Sequence, residues 1–170
     1  MLHPHHKETP MTDHAHEIAE LRRELRTVTD RAALTTLLDR FAAGLDSTDP
    51  DRNDEEWYRS LFTEDVRLEL PNGVHEGITG LPEFLGAPKR AWARTHHLVT
   101  NPIVTLDGDR AAGRANAHAT HVPHPAEDGT TGPLFVGGAR YDFTAVRTAE
   151  GWRANALTAS VVWVEGAPGA

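Results

Sequence analysis

Residues 94–122 read RTHHLVTNPIVTLDGDRAAGRANAHATHV, and this stretch decides the fold. Two extended runs flank Asp107-Gly108, a pair that tight hairpin turns favour because both residues tolerate positive φ. A two-residue turn sets the register, so Leu106 faces Asp109, paired residue numbers sum to 215, and His97 falls opposite His118. Opposed residues project from one face of a sheet with Cβ atoms about 5 Å apart. The hairpin therefore predicts two imidazoles side by side, with Asn101 further along the same face. His96 and His121 point the other way in an unbulged ladder. A single half-buried histidine is most simply a hydrogen-bonded core residue, and the chain has 11 histidines; an opposed pair is what makes a candidate site.

Composition narrows the field. At 170 residues the chain is long enough for one domain with its own core. It has no cysteine, which removes thiolate catalysis, cysteine-bound zinc and disulfides. A formal net charge of -8 argues against nucleic acid or an anionic membrane as partner and points to a neutral, apolar ligand. No apolar run approaches the roughly 20 residues of a membrane span, and the first residues lack a secretory apolar core, so a cytoplasmic location is expected. Residues 1–12, polar with Pro4 and Pro10, read as a tail, and residues 13–166 as a single domain.

Upstream of the hairpin, Asp13 can cap a helix carrying Ile18, Leu21, Leu25 and Val28, and Asp30 can cap a second. In that second helix Leu34, Leu37, Leu38, Phe41 and Leu45 make one buried stripe. It ends at Asp46, before the breakers Ser47, Thr48, Asp49 and Pro50, which leaves a carboxylate at the rim of the core-facing side. Asn53 to Phe62 reads as a short helix, Val66 to Leu70 and Val74 to Ile78 as strands about a Pro71-Asn72-Gly73 turn, and a further helical stretch opens at Thr79 or Gly80, holds Leu81, Phe84 and Leu85, and ends at Pro88. Downstream, residues 123–133 form a loop, and Leu134 to Thr148 and Trp152 to Glu165 a last hairpin. Helices first and long antiparallel strands last define an α+β class, a curved sheet wrapped over the N-terminal helices. Dinucleotide, P-loop, G-x-S-x-G and H-E-x-x-H spacings are all missing. A 2-His-1-carboxylate metal site from His97, His118 and Asp46 is chemically possible but lacks an evident outer carboxylate to orient either ring.

Leu45-Asp46-Ser47 ending an amphipathic helix, Arg94-Thr95-His96-His97 opening a long strand and Asp107-Gly108-Asp109 turning it together resemble the SnoaL-like and scytalone dehydratase-like branch of the nuclear transport factor 2-like superfamily, over roughly residues 25–165. The resemblance implies a cone-shaped α+β barrel of mainly antiparallel strands with an apolar cavity at its open end. It also implies a homodimer or homotrimer, and chemistry without cofactor or metal. Matched residue by residue, it gives Asp46 as partner of the R-T-x-H histidine His97, with His118 the second cavity histidine by register and His121 by residue count. Two tyrosines of scytalone dehydratase have no counterpart: Leu45 precedes the acid, and the strand from Val66 to Leu70 carries none.

The function expected is that of a lyase, cyclase or isomerase of the polyketide cyclase or dehydratase type, acting on a small hydrophobic, carbonyl-bearing natural-product intermediate. His97 would be the base, Asp46 its orienting acid and His118 the proton donor. Asn101 would bind the developing enolate. Trp57, Tyr58, His121, Phe135, Tyr141 and Trp163 would line the cavity. Two other classes use the same fold: a non-catalytic ligand-binding or assembly protein, and a small accessory subunit of a ring-hydroxylating dioxygenase, which would co-purify with a larger partner.

Overall fold

A computed structural model describes residues 11–49 and 53–166, with the side chains of residues 11–13 outside it. The chain runs α1 (Met11–Asp46), α2 (Glu55–Arg59), β1 (Phe62–Leu70), β2 (Gly73–Glu76), α3 (Leu81–Lys89), β3 (Trp92–Asp107), β4 (Arg110–Pro123), β5 (Phe135–Thr148) and β6 (Gly151–Glu165). Residues 1–10 of the expected tail lie outside the described residues, while Met11 and Thr12 belong to α1. The six strands form one sheet in the order β2-β1-β6-β5-β4-β3. All neighbours are antiparallel except β1 and β6, which run parallel. The architecture is the expected α+β cone, with a curved sheet that does not close.

The two expected N-terminal helices are one. Nothing between Val28 and Leu34 breaks a helix, and Asp30 serves a tertiary role in place of a cap. Its carboxylate accepts from Arg147 Nη1 at 2.9 Å, Arg147 Nη2 at 2.6 Å and the buried indole N–H of Trp152 at 3.1 Å. Arg147 in turn lies over the Trp152 ring and donates to Asp109. The guanidinium holds the Asp30 carboxyl below the usual carboxylate range. This clamp fixes α1 to the far end of the sheet. Beyond it Leu34, Leu37, Leu38 and Phe41 pack against Tyr58, Phe62, Leu68, Phe143 and Leu157 in the core.

The inner face of β4 carries Ala111, Gly113, Ala115, Ala117 and Ala119, residues with almost no side chain. Where α1 lies close, this smallness lets helix and sheet approach, and Gly113 is pressed against the Phe143 ring and the Ile103 carbonyl. Towards the open end, past the last turn of α1, the same smallness leaves space unfilled.

The hairpin register differs from the expected one. Asp107 pairs with Arg110, so the central turn residues are Gly108 and Asp109, and of the two only Gly108 has positive φ, +58°. That matches a type II′ turn, which takes glycine first. Near the turn Leu106 faces Ala111 and Val104 faces Gly113. A bulge at Asn101-Pro102 then shifts the ladder by one, and beyond it His97 faces Ala119 while Leu98 faces His118. Asn101 takes φ +55°, a left-handed conformation that asparagine tolerates.

Candidate active site

Asp46 closes α1 and its carboxylate turns to β3. Oδ1 lies 2.6 Å from His97 Nδ1, Oδ2 accepts the His97 backbone N–H at 2.7 Å, and the Thr95 hydroxyl donates to Oδ1 at 3.0 Å. Thr95 divides its proton with the Leu45 carbonyl at 3.3 Å. Both carboxylate oxygens are therefore filled by donors from one strand. An acceptor this well supplied takes the proton of Nδ1, which leaves His97 Nε2 as a bare lone pair. The ring lines a cavity of about 500 Å³.

Leu45, Leu70, Leu85, Pro88, Ala117 and Val161 are among the apolar residues of the cavity wall. Polar groups are few, as in small-molecule pockets generally. Besides His97 and Thr95 they include His121, Tyr141 and Lys89. The bulge in β3 turns His97 to the inner face, where odd-numbered His121 of β4 already lies. Its ring centroid is 5.7 Å from that of His97 and it packs between Trp92 and Phe135. Its Nδ1 donates to the Phe135 carbonyl at 3.3 Å. Burial, and secondarily the neighbouring His97, hold His121 below the ordinary histidine value, so it is neutral at pH 7 with Nε2 an acceptor.

Two proton donors face the same space. The Tyr141 ring packs against Phe41, and its hydroxyl makes no hydrogen bond among the described residues. Burial, reinforced by the negative charge of Asp46, pushes its pKa up to about 12, so it stays a phenol. Lys89, at the end of α3, donates to the carbonyls of Ser47 at 2.7 Å and Gly44 at 3.3 Å, satisfying the C-terminus of α1. Burial lowers its pKa, and the charge of Asp46 opposes that.

Several expected site residues lie elsewhere. His118 points to the outer face, where its ring meets Trp163 at 5.7 Å across Gly138. Trp163 is itself half exposed there, because Gly138 has no side chain to hold it off the sheet. The second cavity histidine is thus His121. Asn101 is exposed in the bulge. Trp57 covers Gly44 on α1 and packs edge-on against Tyr58, while Tyr58 is buried in the core and donates to Asn53 Oδ1 at 3.2 Å. Of the expected lining residues His121, Phe135 and Tyr141 reach the cavity. With His118 outside, the 2-His-1-carboxylate set cannot assemble, and among the described residues no three His, Cys, Asp or Glu are grouped to hold a metal.

Thr95, Trp92 and Lys89 are among the cavity residues that sequence reading missed. Thr95 stands two residues before His97, hence on its face, and that parity was a usable signal. Trp92 stacks on Phe135 at 5.6 Å, across a second ladder irregularity that hides its side. Lys89 reaches α1 at Gly44, 45 residues away, which no local pattern reveals.

Residues 26–158 match the SnoaL-like domain family. The chain belongs to that family. Among solved structures, it is 27% identical to a protein of Novosphingobium aromaticivorans named as a candidate aromatic ring hydroxylase, with 82% of this chain and 94% of that one covered and a TM-score of 0.68. A type 2 hexachlorocyclohexane dehydrochlorinase, LinA, is 18% identical, with 84% and 91% covered and a TM-score of 0.68. A candidate scytalone dehydratase of the same Novosphingobium species is 18% identical, with 82% and 88% covered and a TM-score of 0.67. At that distance the last two share the fold, which is that of nuclear transport factor 2-like proteins. No curated protein matches the sequence. Among the described residues no helix is long and apolar enough to cross a membrane.

Proposed function

We propose that this SnoaL-like protein is a lyase or isomerase that works by proton transfer on a small, apolar, carbonyl-bearing substrate without a cofactor, in the manner of a polyketide cyclase or dehydratase. The observation that carries the proposal is the Asp46–His97 contact of 2.6 Å at the wall of an apolar cavity. His97 Nε2 takes a proton from the carbon next to the carbonyl, and the electron pair moves to the carbonyl oxygen. Asp46 stabilises the imidazolium that results. The developing enolate accepts a hydrogen bond from the Tyr141 phenol or the Lys89 ammonium. The enolate then either collapses with loss of a β-hydroxyl, which leaves as water with the proton returned by His97, or is reprotonated at another carbon. His121, neutral and with Nε2 bare, accepts a hydrogen bond from a substrate hydroxyl.

LinA, whose name is that of a dehydrochlorinase, and the candidate scytalone dehydratase support an elimination chemistry on this fold. The test uses a panel of cyclic β-hydroxyketones. Enone formation is read by ultraviolet absorbance, and exchange at the α-carbon by mass spectrometry in D2O. The expected result is turnover or deuterium uptake that falls roughly 10²–10⁴-fold in His97→Ala. Equal activity in wild type and His97→Ala would remove the acid-base reading. Binding without turnover or exchange would favour the non-catalytic one.

A further inference from the structure

The N-terminal half of α1 carries a feature that the cavity does not use. α1 has 36 residues, about 54 Å at 1.5 Å per residue, and it meets the domain only from Asp30 onward. From His14 to Thr29 every residue except Thr27 is exposed. Within this segment Ile18, Leu21, Leu25 and Val28 are 49–66% exposed. Their spacing alternates three and four residues, the a/d pattern of a coiled-coil seam, and Ala32 continues it at the next a position. The residues that dock α1 to the domain, Asp30, Leu34, Leu37, Leu38 and Phe41, fall at c, f and g positions, so none of them belongs to the a/d seam, and the one g position among them, Leu38, lies beyond residue 32. A partner helix can lie along residues 18–32 without displacing the domain.

Charges flanking the seam select the partner and its direction. The g positions are Glu17, Glu24 and Arg31, and the e positions are Arg22 and Thr29. A parallel, in-register pair sets Glu17 beside the partner's Arg22, twice by symmetry. An antiparallel pair also sets Glu17 beside the partner's Arg31, but it opposes Glu24 to the partner's Glu24 and Arg22 to the partner's Arg22, whereas the parallel pair opposes no like charges. Among the described residues Arg22 and Glu24 make no ion pair, so both face a partner helix unpaired. Acidic and basic residues alternate around this half-helix, which does not suit a membrane surface, where the polar face is rich in Lys and Arg.

We infer that residues 18–32 of α1 pair with the same segment of a second copy of this chain as a short parallel coiled coil. The seam spans roughly two heptads, short for a coiled coil that stands alone. The lower half of each helix is already fixed by its domain, which lowers the ordering cost of pairing.

Two experiments on the full chain test this. Light scattering coupled to size exclusion, at high micromolar concentration, should give a wild-type mass that halves in the Leu21→Asp/Leu25→Asp double variant. Near-ultraviolet circular dichroism should stay unchanged, because both sites lie outside the core. A monomeric wild type, or a mass unaffected by the double substitution, would overturn the inference and assign oligomerisation or the stripe to another surface or partner. Direction is read by cross-linking, since the chain has no cysteine of its own. Leu21→Cys alone should oxidise to a disulfide-linked dimer. Cross-linking seen only when Leu21→Cys is mixed with Leu25→Cys would mean an antiparallel pair and would refute the parallel assignment.

Discussion

Replacing Asp46 with asparagine should disable His97 through its tautomer. In the native site Oδ2 accepts the His97 backbone N–H and Oδ1 the ring Nδ1–H, at 2.7 and 2.6 Å. An amide has one oxygen and one NH2 group. With the oxygen kept on the backbone N–H, the NH2 faces the ring and Nδ1 must become an acceptor. The ring proton then moves to Nε2, and the group that should be a base becomes a donor. With the amide reversed, the NH2 opposes the backbone N–H, leaving a part-buried donor unsatisfied at about 1–3 kcal/mol. The first arrangement is favoured, because a ring can change tautomer and a backbone N–H cannot. A triad acid changed in the same way lowers turnover about 10⁴-fold, equivalent to about 5 kcal/mol in the barrier at 1.36 kcal/mol per decade. Asp46→Ala leaves the ring free to choose its tautomer, so it should lose less activity than Asp46→Asn. Nitrogen-15 NMR of the His97 ring reads the proton directly: on Nδ1 in wild type and on Nε2 in Asp46→Asn. An Asp46→Asn protein within threefold of wild-type turnover, or one whose His97 keeps its proton on Nδ1, would refute this reasoning.

Other expectations test the register, the clamp and the packing. His118→Ala should leave turnover unchanged while His121→Phe lowers it, and the reverse order in a kinetic comparison would contradict the observed ladder. Asp30→Ala strands the Trp152 N–H and half of the Arg147 guanidinium; because Arg147 keeps Asp109, the cost falls at the low end for a broken buried pair, about 3 kcal/mol. Urea unfolding should show it, together with a melting temperature lower by about 6–12 °C. Gly113→Ala places a Cβ 2.6 Å from the Phe143 ring and 2.8 Å from the Ile103 carbonyl oxygen, and since backbone cannot yield it should destabilise by about 2–3 kcal/mol or more in the same assay. His121 has its pKa lowered on folding, so the unfolded chain binds protons first as pH drops. Its contribution to stability is whole above about 6.5, the unfolded value, and is lost as pH falls through the folded one. A His121→Gln protein should show a flatter decline in unfolding free energy across that window.

Asp46 and His97 were legible because each carries a local signal: the acid ends an apolar helix stripe, and the histidine sits in R-T-x-H at a strand start. The choice of His118 over His121 failed on parity. Moving the turn from Asp107-Gly108 to Gly108-Asp109 raises the sum of paired numbers by two and leaves His97 facing an even-numbered residue. The single-residue bulge is what turns His97 to the face of odd-numbered His121. Pro102 announced that bulge, since a proline cannot donate to a ladder and within sheets keeps to edges and bulges. The continuity of α1 could not be read in the same way. Asp30 looks like a cap from its neighbours, and its partners Arg147 and Trp152 lie 117 and 122 residues away. Lys89 and Trp92 escaped notice for the same reason, because they reach the cavity through tertiary contacts.

The alanines and glycines on the inner faces of β4 and β5 give the cavity its form by what they omit. Asp46, Thr95 and His97 stand on α1 and β3, so the groups proposed to react and the small residues that floor the cavity belong to different elements. Enlarging Ala117, Ala119 or Ala139 by one or two carbons would reshape the occupant's berth while leaving the proton-transfer pair untouched. On the proposed function, substitutions along β4 and β5 would alter substrate preference one methyl group at a time under an unchanged reaction. The same positions are where a designer would begin to redirect it.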